Sequence, residues 1–241
     1  MGFDIEEEEI FEEPCSLKEY LSQPIRLSGI TFKRIAFKPK LTHWFIVLLL
    51  SSAFVTLSSY LAVQKINFQI VAGPQLPEEA VQAAGELMES IAKNPAIIFL
   101  GVFVSSLVIQ IIISLIYYLL IRASGRKAGF LSSLLIIGLT NIPTIVSGIL
   151  QSYLALNMPE VTVILNLSEQ KGLLGGPSVG NMGISMDSTV IGMILSVWSL
   201  IILYSACRSG FNLSKGRAVL SSVIAWLIML LPSIYSLLMI L

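Results

Sequence analysis

The chain has 241 residues, of which 55% are hydrophobic and 12% are charged, and its formal net charge is zero. The mean hydropathy of +0.83 excludes an ordinary soluble domain, in which about a quarter of the residues carry a charge. This length leaves room for one small membrane domain and for no separate soluble enzyme.

Residues 1–40 precede the first long apolar run, and we assign them to a cytoplasmic segment in two parts. The first part is an acidic leader with Glu6 to Glu9, Glu12 and Glu13. A secretory signal would instead be basic and then apolar, so we expect an uncleaved first span.

The second part of this segment is basic and amphipathic, and we predict one helix from Pro24 to Pro39 in the cytoplasmic interface. Its apolar side chains would enter the acyl boundary while its cations meet anionic headgroups. The candidate headgroup contacts are Arg26, Lys33, Arg34, Lys38 and Lys40. The alternative is an ordinary basic flank that only sets the topology.

Five apolar runs follow, and they predict an all-α integral membrane domain over residues 41–241. Each run is close to or above the roughly 20 residues that a helix needs to cross a bilayer. The runs contain no Asp, Glu, Lys or Arg. Their bounds are 41–63, 96–121, 130–154, 188–206 and 218–241.

The cations alternate between the loops in a way that predicts the topology. Twelve of the 15 Lys and Arg residues lie before the first span, in the second loop or in the fourth loop. Only Lys65, Lys93 and Lys171 lie in the first and third loops. Because positive residues favour the cytoplasmic side, we expect a cytoplasmic N-terminus and an external C-terminus.

The two external loops differ in character. The first carries apolar residues at helical spacing between Pro77 and Pro95, which predicts a short external helix that covers the bundle or binds a partner. The third loop, residues 157–187, is glycine-rich and contains a β-prone run from Val161 to Leu165. Its Gly175–Gly180 segment lacks the Lys-Ser/Thr of a phosphate-binding loop, so we interpret it as a turn region.

The spans contain polar groups that could serve as packing contacts or line a solute path. The candidate cluster is Gln110 in span two with Thr140, Asn141, Pro143 and Thr144 in span three. We favour packing, with Gln110 facing the bundle and paired with Asn141, and with a kink at Pro143. Proton-driven transport normally needs an Asp, Glu or His inside the membrane, and the only such residue in the runs is His43, at the edge of span one. We interpret His43 and Trp44 as a headgroup-level anchor.

Four short parts of the chain carry a resemblance through their order and spacing. They are Leu21–Pro24 with Ile30–Ala36 and Lys38-Pro39; Gly125–Phe130; Gly138 with Ile142-Pro143; and Trp198–Leu200 with Ser214–Ala218. Together with the five-span count, they resemble the Yip (Ypt-interacting protein) domain family over residues 16 to 241.

The resemblance implies a prokaryotic-type member in the cytoplasmic membrane. Eukaryotic relatives are associated with vesicle trafficking and membrane shaping. We therefore expect a non-enzymatic scaffold that organises the membrane or holds protein partners, with no cofactor, metal or nucleic acid. The alternative is a permeation protein for ions or small molecules that uses the polar faces of spans two and three.

Overall fold

The computed structural model describes residues 14–71, 78–166 and 186–238 of the chain. Most of the described residues lie in helices, and two short strands complete the fold. In chain order the elements are α1 (Leu17–Arg26), α2 (Gly29–Phe37), α3 (Leu41–Val63), β1 (Ile66–Val71), α4 (Glu78–Ala92), α5 (Pro95–Ala123), α6 (Phe130–Leu139), α7 (Asn141–Leu156), β2 (Val161–Asn166), α8 (Met186–Ser205), a π-helical turn (Ala206–Gly210) and α9 (Lys215–Leu238).

Four stretches of helix are long and apolar enough to cross a membrane, and they coincide with the first four predicted spans. They are Leu41–Val63, Pro95–Ala123, Phe130–Leu156 and Ile191–Gly210. The fifth predicted span corresponds to α9, which is helical as far as Leu238, and its last three residues lie outside the described part. The count of five spans and the sidedness of the termini therefore stay predictions.

Span three is interrupted near its middle, where the sequence predicts a kink. Helix α6 ends at Leu139 and α7 begins at Asn141, so that Pro143 occupies the first turn of α7. This position suits proline because the first turn has no use for its missing amide proton. The Thr140 hydroxyl donates to the Ile137 carbonyl at 2.6 Å, and this bond satisfies one backbone acceptor at the break.

The predicted single helix from Pro24 to Pro39 is wrong, because two short helices occupy this region. Helix α1 starts with a reciprocal capping box between Ser16 and Glu19, and Pro24 lies inside it. It ends where Leu27 adopts a left-handed backbone with a φ of 48°. Ser28 then caps α2, and the chain turns between the two helices.

Helix α2 packs on the protein through part of the surface that was predicted to face acyl chains. Phe32 and Ile35 are fully buried against the π-helical turn and α6. Gly210 of that turn packs so closely on Phe32 that an added Cβ would lie 3.3 Å from the Phe32 carbonyl oxygen. Two other apolar residues of α2, Ile30 and Phe37, are exposed, so α2 has one face on the bundle and one face outside it.

The two groups of predicted loops lie at opposite ends of α3. At its start, α2, the 124–129 loop and the π-helical turn meet, and Arg126 donates to the Asn212 carbonyl at 2.9 Å. At its end, β1 and β2 form a parallel two-stranded sheet that pairs Ile66 with Val161. The all-α prediction therefore needs correction for one small sheet.

The helix predicted in the first loop is present as α4, which contacts β1 and α5, and its external side stays a prediction. Asn94 then caps α5 by accepting from the Ala96 amide at 3.0 Å, with Pro95 in the first turn. The glycine-rich run of the third loop lies outside the described residues.

Replacing Ile35 by alanine tests whether α2 is part of the protein core. Ile35 is 1% exposed and Ile30 on the same helix is 52% exposed, so the two substitutions form a matched pair. Ile35→Ala should lower the free energy of unfolding by about 2–5 kcal/mol. Ile30→Ala should change it by no more than about 0.5 kcal/mol. Reversible unfolding in detergent measures both, and equal effects would contradict the docked position of α2.

Candidate functional site

The predicted polar residue Gln110 is buried, and its partner is an aromatic side chain. The Trp44 indole donates from Nε1 to the Gln110 side-chain oxygen at 2.7 Å and joins α3 to α5. The Asn141 amide nitrogen is buried without a hydrogen-bond partner. The predicted Gln110–Asn141 pair is therefore wrong, although Gln110 does face the bundle as expected.

A second aromatic residue fixes the N-terminal helices to the same region. The Tyr20 hydroxyl donates to the Leu135 carbonyl at 2.5 Å, across 115 residues of sequence. Its ring lies 5.5 Å from the His43 ring between centroids, in a tilted arrangement. Tyr20 is fully buried, so α1 packs on α6 through a buried, hydrogen-bonded contact.

Gly138 of α6 makes this close packing possible. A Cβ at position 138 would lie 2.6 Å from Trp44 Cδ1 and 2.8 Å from the Tyr20 hydroxyl oxygen. Real side chains do not approach so closely, so only glycine lets the two aromatic residues meet at this point. We call Tyr20, His43, Trp44, Gln110 and Gly138 the Gly138 junction.

The junction corrects the prediction that His43 and Trp44 anchor the chain at headgroup level. Both side chains are buried, because the Tyr20 ring lies against His43 while Trp44 packs on Gly138 and bonds to Gln110. Tryptophan with a polar tip suits a membrane interface, but it suits a buried site equally well when its N–H finds an acceptor. The position at a span end alone does not distinguish these two environments.

The span-three members of the predicted cluster lie at the break between α6 and α7. Thr140 and Pro143 are buried, Asn141 is half-buried and Thr144 is exposed. The Thr144 hydroxyl bonds locally to the Thr140 carbonyl at 3.5 Å. No hydrogen bond joins any of these four residues to Gln110 in the described part of the chain, so the structure does not assemble the five residues as one bonded cluster.

Three further hydrogen bonds, in each of which an aromatic side chain joins separate elements, were not predicted from the sequence. Trp198 donates to the Pro24 carbonyl at 2.9 Å, and Trp226 donates to the Ser196 carbonyl at 2.7 Å. The Tyr117 hydroxyl lies 3.1 Å from the Cys207 sulfur. The available signal was the presence of Trp and Tyr inside apolar runs, since their polar tips need partners when they are buried.

The predicted headgroup contacts differ in their surroundings. Arg26, Lys38 and Lys40 are exposed, while Lys33 and Arg34 are half-buried. Arg34 pairs with Glu19 at 3.2 Å and ties α2 to α1. The backbone amide of Ser16, which donates to Glu19, holds the pKa of that carboxyl below its usual value, and its other neighbours Ser16 Oγ and Arg34 act in the same direction.

The described residues offer little for catalytic or metal chemistry. Among them, no group of three or more His, Cys, Asp or Glu is placed to hold a metal ion. Cys15 and Cys207 are free and buried. Burial, together with the nearby Glu19 charge, raises the pKa of the Cys15 thiol to about 11, which makes it a poor nucleophile at neutral pH.

Comparison with known families shows which family model the chain matches. The family model described as the Yip1 domain matches residues 19–236, which is most of the chain and includes the whole of the Gly138 junction. No curated protein and no solved structure matches the chain.

Substituting Gly138 by alanine tests the junction against a matched glycine in α5. Because Gly138→Ala forces apart Trp44 and Tyr20, it should lower the free energy of unfolding by about 1–3 kcal/mol. Gly101 has open space around it, so Gly101→Ala should stabilise its helix by about 0.5–1 kcal/mol. Unfolding midpoints of the two variants give the comparison. Tolerance of Gly138→Ala would mean that the aromatic packing is not required.

Proposed function

The chain belongs to the Yip1 domain family, and on that premise we propose that it is a non-enzymatic multi-pass scaffold. It would organise the membrane around it or hold protein partners at the membrane. The finer assignments are proposals of the same kind: five spans, a cytoplasmic N-terminus, and residence in the cytoplasmic membrane of a prokaryote.

The observation that carries the proposal is the use of polar groups for packing. Gln110 bonds to Trp44, Tyr20 bonds to the Leu135 carbonyl, and Trp226 bonds to the Ser196 carbonyl. Each bond joins two elements, and such bonds are worth about 0.6–2 kcal/mol in membrane proteins. Polar side chains that form hydrogen bonds between helices favour a rigid scaffold over a pathway for solutes.

The lack of charged residues in the apolar runs supports the same conclusion. Proton-coupled transport normally uses a membrane-embedded Asp, Glu or His that changes its charge. The five runs contain no Asp or Glu, and their one histidine, His43, packs on the Tyr20 ring. The small-molecule permeation alternative has no comparable support from the described residues.

The scaffold also needs a surface that faces the lipid. We propose that Arg26, Lys38 and Lys40, with the half-buried Lys33 and Arg34, lie close to anionic headgroups. Each cation near such a surface contributes about 1 kcal/mol, and the attraction weakens as salt rises. Exposed apolar residues such as Ile112 and Leu115 of α5 would contact acyl chains.

Substituting Gln110 in protein reconstituted into vesicles distinguishes a packing role for this residue from a role in solute permeation. Gln110→Leu should lower the free energy of unfolding by at most about 2 kcal/mol, since it removes one interhelical bond. Ser105→Ala is the control, because Ser105 is exposed on the same helix and its hydroxyl bonds locally to the Val102 carbonyl. Neither variant nor the natural chain should release trapped ions, sugars or amino acids. Protein-dependent flux that Gln110→Leu abolishes at unchanged stability would support permeation instead.

The positive measurement for a scaffold uses the same vesicles at rising protein-to-lipid ratio. Electron cryo-microscopy should show a change in vesicle diameter or in vesicle clustering that follows the protein content. If vesicles keep their size and spacing at every ratio, and cross-linking in native membranes finds no stoichiometric partner, the scaffold proposal is contradicted.

A further inference from the structure

A groove of about 830 Å³ lies where α2, the 124–129 loop and the π-helical turn meet. We call it the basic groove. Its lining includes Phe37 from α2, Arg126 and Lys127 from the loop, Phe130 and Leu131 from α6, and Asn212. It lies at the same end of the bundle as the N-terminal helices, and neither the Gly138 junction nor the predicted headgroup contacts explain it.

The charge of the basic groove is positive among the described residues that line it. Arg126 and Lys127 are exposed, and none of the lining residues is acidic. Arg126 is held by a hydrogen bond from one guanidinium nitrogen to the Asn212 carbonyl. A guanidinium has five N–H donors, so this bond orients the group and leaves other donors for an anion. The groove therefore suits a negatively charged group such as a phosphate.

The start of α6 adds a smaller favourable contribution. Its N-cap is Gly129, which supplies no side-chain bond to the first turn, and the first intrahelical bond runs from the Ser133 amide to the Gly129 carbonyl. The first amides and the positive end of the helix dipole then lie beside the groove. The two cations and the cavity carry the inference, and the helix terminus only reinforces it.

The position of the groove indicates that the phosphate belongs to a lipid. The 124–129 loop joins Pro95–Ala123 to Phe130–Leu156, which are both long and apolar enough to span a bilayer. A loop between two spans lies at headgroup depth. Phe37 at the lip of the groove is 67% exposed and Leu131 is also exposed, which suits contact with acyl chains but not with a soluble phosphate.

We propose that the basic groove binds one anionic phospholipid, with its phosphate at Arg126 and Lys127 and its chains against Phe37 and Leu131. Basic pockets beside membrane helices recognise anionic headgroups in this way. The proposal rests on the membrane position in the proposed function, but it does not depend on a scaffold role. It assigns a defined lipid site where the proposed function has only a charged surface.

The test measures lipid retention by the full-length chain. The protein is reconstituted in vesicles of phosphatidylcholine with phosphatidylglycerol and extracted in a mild detergent. Native mass spectrometry then detects the lipid that stays bound to it. The natural chain should retain one phosphatidylglycerol molecule with a defined affinity. Arg126→Gln with Lys127→Gln should weaken that retention about tenfold or more, because two cations are lost at the phosphate. Phe37→Ala should weaken it to a smaller extent.

The control variant removes the same charge elsewhere at the same end of the bundle. Lys18 and Lys215 are exposed, do not line the groove and are not among the proposed headgroup contacts, so Lys18→Gln with Lys215→Gln should leave retention of the one lipid unchanged. Equal weakening by both double variants would mean that lipid retention depends on the general positive charge of this end of the bundle. That result would overturn the groove site. Retention that neither variant weakens would contradict the groove site.

Two further outcomes would assign the groove to another occupant and overturn the proposal. Release of the lipid by millimolar inorganic phosphate would indicate a site for free phosphate. The acidic leader at residues 1–13 is the second competitor, and its glutamates can be replaced by glutamine in the full-length chain. Stronger lipid retention in that variant would mean that the leader occupies the groove. Unfolding midpoints of all the variants should match that of the natural chain.

Discussion

The contact at Gly138, where Trp44 and Tyr20 meet on one helix, is the constraint on which the rest of the structure depends. An apolar interior leaves no water for an unpaired polar group, so each buried indole or phenol must find an acceptor within the protein. Trp44 finds Gln110 and Tyr20 finds the Leu135 carbonyl. These two bonds require α1, α3, α5 and α6 to close together, and only a residue without a Cβ allows the closure.

The closure makes the N-terminal helices part of the membrane domain. With α1 and α2 docked, the end of the bundle becomes one continuous surface that combines the 124–129 loop, the π-helical turn and the end of α2. Its cations have defined positions, since Arg34 is held by Glu19 and Arg126 by the Asn212 carbonyl. A charged surface of fixed shape suits the recognition of lipids or protein partners, which is the role that we propose.

Sequence patterns predicted the elements that depend on local composition and failed where partners come from distant segments. Hydropathy alone identified the first four spans, because a bilayer requires about 20 apolar residues whatever the helix contacts. The amphipathic stretch from Ile25 to Lys40 was correctly helical in part, but its pattern does not say whether lipid or protein covers Phe32. Gln110 was correctly expected to face the bundle, whereas its pairing with Trp44 depends on how α3 and α5 lie together. The strand Ile66–Val71 was missed because only its pairing with Val161–Asn166 makes it a strand.

A disulfide between α2 and the π-helical turn tests the docked N-terminal helices most directly. A Cβ on Gly29 would lie 3.4 Å from the Ser209 Cβ, close to the separation of about 3.5–4.5 Å that a disulfide needs. Gly29→Cys with Ser209→Cys, in a chain whose two native cysteines are alanine, should cross-link almost completely in native membranes under mild oxidation. Lys18→Cys with Ser209→Cys is the control for chance collision. Efficient cross-linking of the first pair and little of the second is the predicted result, and equally poor cross-linking of both would contradict the account.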